Sequence, residues 1–232
     1  MITIKDIAII IPLRKGENAW RDLIQDFKHL DNQTEIIFVG PDTEDNLLGS
    51  TCLELKKKYP LSRYVMTSGE RAQKLNKGAR AATKKYVWFL HADSRFSKNT
   101  IKQLEKSLNK EPRALHYFDL SYLPDGPQMM FINELTCFLR SHILNIPFGD
   151  QGFCLRKDIL FSLGGFPQKV AFGEDNLLVH QAKKDGVKVK CTHGIIETSS
   201  RRYKEEGWFR VTGSLTKQWT KQVWGLRKET KD

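Results

Sequence analysis

Three groups of acidic residues, far apart along the chain, could do chemistry. Asp93, with a hydroxyl beside it at Ser94, follows five consecutive apolar or aromatic residues, Tyr86-Val87-Trp88-Phe89-Leu90. Such a run reads as a strand buried on both faces, and ligands of open α/β sheets bind beyond the carboxyl ends of the strands. A carboxylate and a hydroxyl at that end suit oxygen coordination of a divalent cation that also holds phosphates, although an Asp there can equally cap a turn. Asp150-Gln151 stands between Gly149 and Gly152, and glycines let a backbone approach another group closely. Glu174-Asp175 opens a helix bearing Leu177, Leu178 and Ala182, where acids complement the helix dipole or cap the first turn.

The elements that must position these groups alternate. Residues 6–12 are β-branched and uninterrupted up to Pro12, an interior strand of a parallel sheet. Trp20, Leu23, Ile24, Phe27 and Leu30 then recur at helical spacing. Residues 34–39 form a second strand, closed by a loop of turn formers and carboxylates that includes Asp42 and Asp45. A helix with Leu47, Leu48 and Leu55 ends in Lys56-Lys57-Lys58, a solvated run suited to a helix C-terminus. A short strand over 63–67 leads into a helix beginning near Arg71, whose inner face carries Ala72, Leu75, Ala79 and Ala82. After the Tyr86–Leu90 strand come a helix over 98–108, a strand over 114–120, a helix over 129–143 and a short strand after Gly152. Val187–Cys191 and Ile195–Thr198 read as a final strand pair. This alternation predicts a doubly wound, mainly parallel α/β sheet flanked by helices.

The first strand is followed by neither Gly-x-Gly-x-x-Gly nor a Walker A sequence. A nucleotide bound here must therefore be held by loop carboxylates, Arg71 and a metal ion rather than by a glycine cradle. The formal net charge is +11, and the tail from residue 201 onward, rich in Lys, Arg and Trp, holds nearly half of that excess. Such a balance fits a phosphate-rich ligand, an anionic membrane surface or nucleic acid. Tryptophans interleaved with cations can form an interfacial helix, and packing on the domain or on a second copy as a homodimer is the alternative. Cys52, Cys137, Cys154 and Cys191 are scattered with no Cys-x-x-Cys and no His at metal spacing. Neither a zinc site nor a disulfide framework is expected, and free thiols suit a reducing cytoplasm. No apolar run reaches the length of a spanning helix, so the expected location is cytoplasmic or peripheral to a membrane.

Several of these pieces stand in a telling order. Phe89-Leu90-His91-Ala92-Asp93, the preceding Gly69-Glu70-Arg71-Ala72 segment, Gly149-Asp150-Gln151-Gly152, Gly164-Gly165-Phe166 and Glu174-Asp175 together resemble family 2 glycosyltransferases with a GT-A fold. The narrower likeness is to a small, soluble bacterial branch with Gly-Glu-Arg-Ala and His-Ala-Asp motifs. The resemblance spans roughly residues 6 to 203, leaving 204–232 as a basic, Trp-rich helical tail. It implies an inverting transfer of sugar from a nucleotide-diphosphate donor to an acceptor hydroxyl, assisted by Mg²⁺ or Mn²⁺. Asp93 would bind the metal, with His91 where many relatives have a first Asp. Asp175 would be the general base, with Glu174 beside it. Pro12, Asp42, Asp45, Arg71, Ser94, Arg201 and Arg202 would serve the donor, and Asp150, Gln151 and Gly152 would line the acceptor side. No nucleic-acid partner is implied. Relatives often carry an Asp directly after the second strand that recognises the base; here that position is Gly40. A nucleotidyltransferase, or a GT-A-like binding protein without catalysis that docks on anionic membrane or nucleic acid, stay open as other readings.

Overall fold

The computed structural model describes residues 1–41, 46–168 and 173–229, except for the side chains of 46–50, 219 and 221–229. Asp42 and Asp45 lie outside the described residues. The first half alternates strand and helix: β1 (Ile7–Pro12), α1 (Trp20–Asp26), β2 (Glu35–Gly40), α2 (Asn46–Lys58), β3 (Arg63–Met66), α3 (Arg71–Ala81) and β4 (Tyr86–Phe89). A short β5 (Ser94–Phe96), α4 (Lys98–Lys110), β6 (Leu115–Tyr122) and α5 (Met130–His142) follow. The remainder is β7 (Cys154–Arg156), α6 (Lys157–Ser162), α7 (Glu174–Lys184), β8 (Val189–Thr198), α8 (Arg201–Glu206) and α9 (Trp208–Glu229).

The strands form one sheet in the order β3-β2-β1-β4-β7-β6-β8-β5. Its first four strands are mutually parallel; β7 runs antiparallel to β4 and β6, and β5 antiparallel to β8. The sheet is buried on both sides because alternate residues of its central strands feed two cores. Ile7, Ile9, Ile11 and Trp88 pack with α1, α2 and α4, while Ala8, Ile10, Val87 and Phe89 pack with α3, α6 and α7. Close approach of α3 depends on its small residues. A Cβ added at Gly78 would stand 2.5 Å from Ile10 Cγ2 and 2.9 Å from Val39 Cγ2, inside contact distance.

Two features depart from the sequence-based expectation. The residues expected as a final strand pair form the single strand β8, which stays parallel to β6 throughout and absorbs its irregularity locally. The register slips between Tyr117 and Asp119, and His193 takes a left-handed φ of 59°, the mark of a bulge rather than a hairpin. Between the Tyr86–Leu90 strand and the following helix, where the sequence predicts no strand, Ser94–Phe96 pairs with the end of β8. Three residues are too few for a period-2 signal.

The start of the tail packs onto the domain. Met130, Tyr203 and Val211 form a third small core with Trp208 and Leu215 against it, and the Trp208 indole N–H donates to Asn133 Oδ1 at 2.7 Å. Among the described residues no helix is long and apolar enough to cross a membrane.

Candidate active site

In a parallel sheet each helix starts where the preceding strand ends, so helix N-termini and the carboxyl ends of strands share one edge. Arg71 opens α3, which follows the parallel strand β3; Glu174 and Asp175 open α7, which follows α6 rather than a parallel strand but meets the same edge through Arg71. A cation at a helix N-terminus opposes the dipole unless acids compensate it, and here they do. Arg71 Nη1 donates to Glu174 Oε1 and to both oxygens of Asp175, at 3.0 and 3.1 Å. Its Nη2 stands 2.7 Å from His91 Nε2. Burial alone would lower the arginine's pKa, but the carboxylates of Asp175 and Glu174 outweigh it and raise the value.

The same contact sets the state of His91. Burial first, then the charges of Arg71 and Arg14, pull its pKa down to about 3. The imidazole is therefore neutral near pH 7, with Nε2 accepting from Arg71 and the proton on Nδ1. Of the two ring nitrogens, only Nδ1 is not engaged by Arg71.

Asp93 sits two residues on, and its surroundings are the reverse. Burial raises its pKa, and the neighbouring carboxylates of Glu17 and Asp150 raise it further, against its own backbone amide and the Thr198 hydroxyl. Asp150 is likewise raised by burial and by Asp175, with Arg140 and Arg71 opposing, and its Oδ1 is a buried acceptor without a hydrogen-bond partner. Other buried acids of the domain are fully supplied. Asp26 accepts two bonds from Arg95 and one from the Phe96 amide; Glu35 accepts from Arg63 and from the amides of Thr83 and Lys84. Buried charge without compensation is costly. Asp93 thus has the carboxylates of Glu17 and Asp150 as its charged neighbours, with Arg140 and Arg71 opposing at Asp150, and an oxygen-rich setting of this kind suits a hard divalent ion.

Asp150 reports on both groups, since it feels Asp175 and is felt by Asp93. The loop that carries it is pressed against α7. A Cβ at Gly149 would stand 2.4 to 2.5 Å from the carboxylate atoms of Asp175, so only glycine fits there. Gly152 needs glycine twice over: its φ is 62°, and a Cβ would come within 2.3 Å of Ile196 Cδ1. Gln151 is buried, its amide committed to the Phe118 carbonyl and the Phe148 N–H. Beyond the loop, Asn76 of α3 clamps the Gly164-Gly165-Phe166 turn by bonding both the N–H and the carbonyl of Phe166.

Other residues singled out from sequence are placed less centrally. Pro12 ends β1 opposite Val39, and Ser94 lies 1% exposed inside β5. Arg201 and Arg202 open α8 and are exposed; Arg202 pairs with Glu206, and Arg201 donates to Ser199 Oγ. Sequence reading missed Arg14, Glu17 and Thr198. Arg14 and Glu17 follow β1, which is parallel to β4, so the topology places their loop at the edge where Asp93 emerges. Gly40 has a steric cause: a Cβ there would meet the Tyr64 hydroxyl at 2.6 Å, and that hydroxyl donates to the Pro41 carbonyl.

Comparison with known proteins follows this geometry. The mannosyltransferase PcManGT from Pyrobaculum calidifontis, solved with GDP-Man and Mn²⁺, superposes with a TM-score of 0.65 at 17% identity, covering 94% of this chain and 64% of its own. S. aureus TarS 1–349 in complex with UDP-GlcNAc gives 0.64 at 17% identity, covering 84% and 58%. GalNAc-T7 with UDP, GalNAc and Mn²⁺ gives 0.64 at 12% identity, covering 84% and 43%. The chain thus spans less than two thirds of the length of each, and at these identities the likeness establishes the GT-A fold. No curated protein sequence matches. Residues 8–159, well over half of the chain, match the sequence profile described as Glycosyl transferase family 2, and the chain belongs to that family.

Proposed function

We propose that this protein transfers a sugar from a nucleoside-diphosphate donor to an acceptor hydroxyl with inversion at the anomeric carbon. The observation that carries the reading is the contrast along one sheet edge between Asp93, whose charged neighbours are the carboxylates of Glu17 and Asp150, and the Arg71-bound pair Glu174 and Asp175. Structural neighbours solved with GDP-Man and Mn²⁺ or with UDP-GlcNAc support the donor class.

Asp93 would hold Mg²⁺ or Mn²⁺, with Asp150 as a further donor; His91, whose Nε2 is taken by Arg71 and whose Nδ1 carries the proton, has no lone pair left for the ion and acts on Arg71 instead. A bound divalent ion would neutralise charge developing on the leaving diphosphate. The chain's own residues supply the rest. Asp175 takes the proton of the acceptor hydroxyl as it attacks, which requires the hydroxyl to share or displace the Arg71 contact. Arg71, released in part, is then free to meet a phosphate oxygen bidentately. Neutral His91 keeps the guanidinium oriented without adding a competing positive charge. The Gly149–Gly152 loop fixes Asp175 from behind and forms the acceptor side. The Trp- and Lys-rich α9 would bring the enzyme to an anionic or membrane-linked acceptor.

The test is a thermal-shift series with UDP, GDP, CDP and dTDP, with and without Mn²⁺. A ligand that binds only the folded state raises the melting temperature by mass action. Stabilisation by one nucleotide that requires Mn²⁺ and disappears in Asp93→Ala is the expected result. No shift with any of the four, with the protein folded, overturns the reading.

A further inference from the structure

Asp119, His142 and Cys191 present a carboxylate oxygen, an imidazole nitrogen and a sulfur that all lie within 4.8 Å of one another. They come from β6, the end of α5 and β8, separate from Asp93, and nothing in the proposed transfer uses them. His142 Nε2 is 2.7 Å from Asp119 Oδ1, and the Cys191 thiol donates to the same oxygen at 3.6 Å. A fourth donor stands beside them: His193 Nδ1 is 3.9 Å from Asp119 Oδ2.

We propose that these four residues form a zinc site that staples the end of α5 to the sheet. Zinc takes Cys sulfur at about 2.3 Å, His nitrogen at about 2.0–2.1 Å and carboxylate oxygen at about 2.0–2.2 Å, almost always tetrahedrally in structural sites. Donors at those lengths stand roughly 3.3–3.8 Å apart. Measured from the Asp119 carboxylate, the contacts of 2.7, 3.6 and 3.9 Å lie around that spacing; Asp119, His142 and Cys191 already stand within 4.8 Å of one another, and His193 turns inward to supply the fourth donor. Two neutral imidazoles, one thiolate and one carboxylate balance the charge of the ion, and the thiol proton leaves to solvent. The soft sulfur and the imidazoles select zinc over the hard cations suited to Asp93.

The surroundings support more than an Asp–His hydrogen bond. The His193 amide donates to Cys191 Sγ at 3.3 Å, a contact that supports a metal-bound thiolate. His193 adopts a φ of 59°, uncommon for a residue other than glycine, and so folds β8 back to keep its imidazole near Asp119. Phe138 stacks on the His142 ring at 4.2 Å between centroids and fixes its plane. Arg140, two residues before His142, covers the Phe148 ring and contacts Gln151. The staple therefore holds the helix that backs the Asp150 loop, and it stands whether or not the transferase reading does.

The probe is Co²⁺ titrated into the full-length protein after reduction and chelation, followed by Zn²⁺ displacement. The expected result is one equivalent bound with a thiolate-to-cobalt charge-transfer band, unchanged in Asp93→Asn and abolished in Cys191→Ser. Zinc affinity should fall beyond the 10–100-fold that loss of an outer-shell partner costs both in Cys191→Ser and in His193→Ala, whose exposed side chain leaves folding intact. Failure of the wild-type protein to show the band at excess Co²⁺, or a spectrum that survives Cys191→Ser, overturns the proposal.

Discussion

Asp93 and Asp175 are carboxylates on the same edge of one sheet, and their surroundings are opposite. Asp175 and its neighbour Glu174 receive their countercharge from within the chain, through Arg71. Asp93 meets Glu17 and Asp150 instead, and burial adds to the penalty. One cluster is complete in the protein alone; the other is where we propose that a divalent ion binds. The difference teaches that a close family of acidic residues is informative mainly through what neutralises it. Asp26 and Glu35, more deeply buried but saturated with donors, hold elements together. Asp93 and Asp150 destabilise the fold to the extent that they remain charged, a cost characteristic of functional sites.

Breaking each side of this contrast should give distinct signatures. Asp93→Asn should lower Mn²⁺-dependent nucleoside-diphosphate affinity by about 100-fold or more, measured by calorimetry, because a metal-held diphosphate loses several kcal/mol of charge stabilisation. The same variant should match or exceed the wild type in metal-free stability, because it removes a carboxylate whose charged form is penalised by burial and by Glu17 and Asp150. A large loss of stability would instead make Asp93 a structural turn cap.

Arg71→Met should destabilise the fold by about 3 kcal/mol in urea unfolding, since it strands two partly buried carboxylates. Adding Glu174→Gln to that variant should recover part of the loss. Full additivity of the two changes would show that the cluster is not coupled. Gly149→Ala acts on the contact itself. It should cost about 1–3 kcal/mol of overpacking and displace Asp175, so that turnover falls while Mn²⁺-dependent nucleotide binding is retained.

The smallest effect is the most diagnostic. In chelator, Asp93 and His91 should contribute to pH dependence with opposite sign. The folded carboxyl of Asp93 is raised above its unfolded value, so its stabilising contribution is present at low pH and is lost as pH rises through the folded pKa. The folded imidazole of His91 is lowered to about 3, so its contribution is present above the unfolded value of 6.5 and is lost as pH falls towards 3. Between pH 6.5 and 5, His91→Gln should therefore make the loss of stability on acidification shallower by up to about 1.4 kcal/mol per pH unit, whereas Asp93→Asn should steepen that loss as pH falls towards the ordinary carboxyl range. Equal slopes in the two variants would remove the electrostatic distinction between the clusters.

Much of the fold was legible because the parallel strands are short, continuous apolar runs separated by helices with a clear inner face. Ile7–Pro12, Glu35–Gly40 and Tyr86–Phe89 lie within a residue or so of where their composition places them. The irregular half was harder to read. Cys191-Thr192-His193-Gly194 looks like a break between strands, and only pairing with β6 carries the chain through it. The candidate site divides the same way. Motif order marked Arg71, Asp93, Asp150 and Asp175, while Glu17 and Thr198, in segments with no chemical signal of their own, reach Asp93 only through parallel pairing of β1 with β4 and pairing of β5 with β8.

By itself, then, the order of residues determined the apolar strands, the helical stripes, the family and the identity of the charged groups, because these follow from local periodicity and short motifs. The tertiary structure decided which charges meet. Arg71 and Asp175 are 104 residues apart in sequence, and Asp119 and Cys191 are 72 apart. Spacing along the chain suggested no zinc cluster, and folding brings together the donors of the one we propose. The physical reason is that electrostatic compensation and metal ligation act over a few ångströms in space and are blind to distance along the sequence.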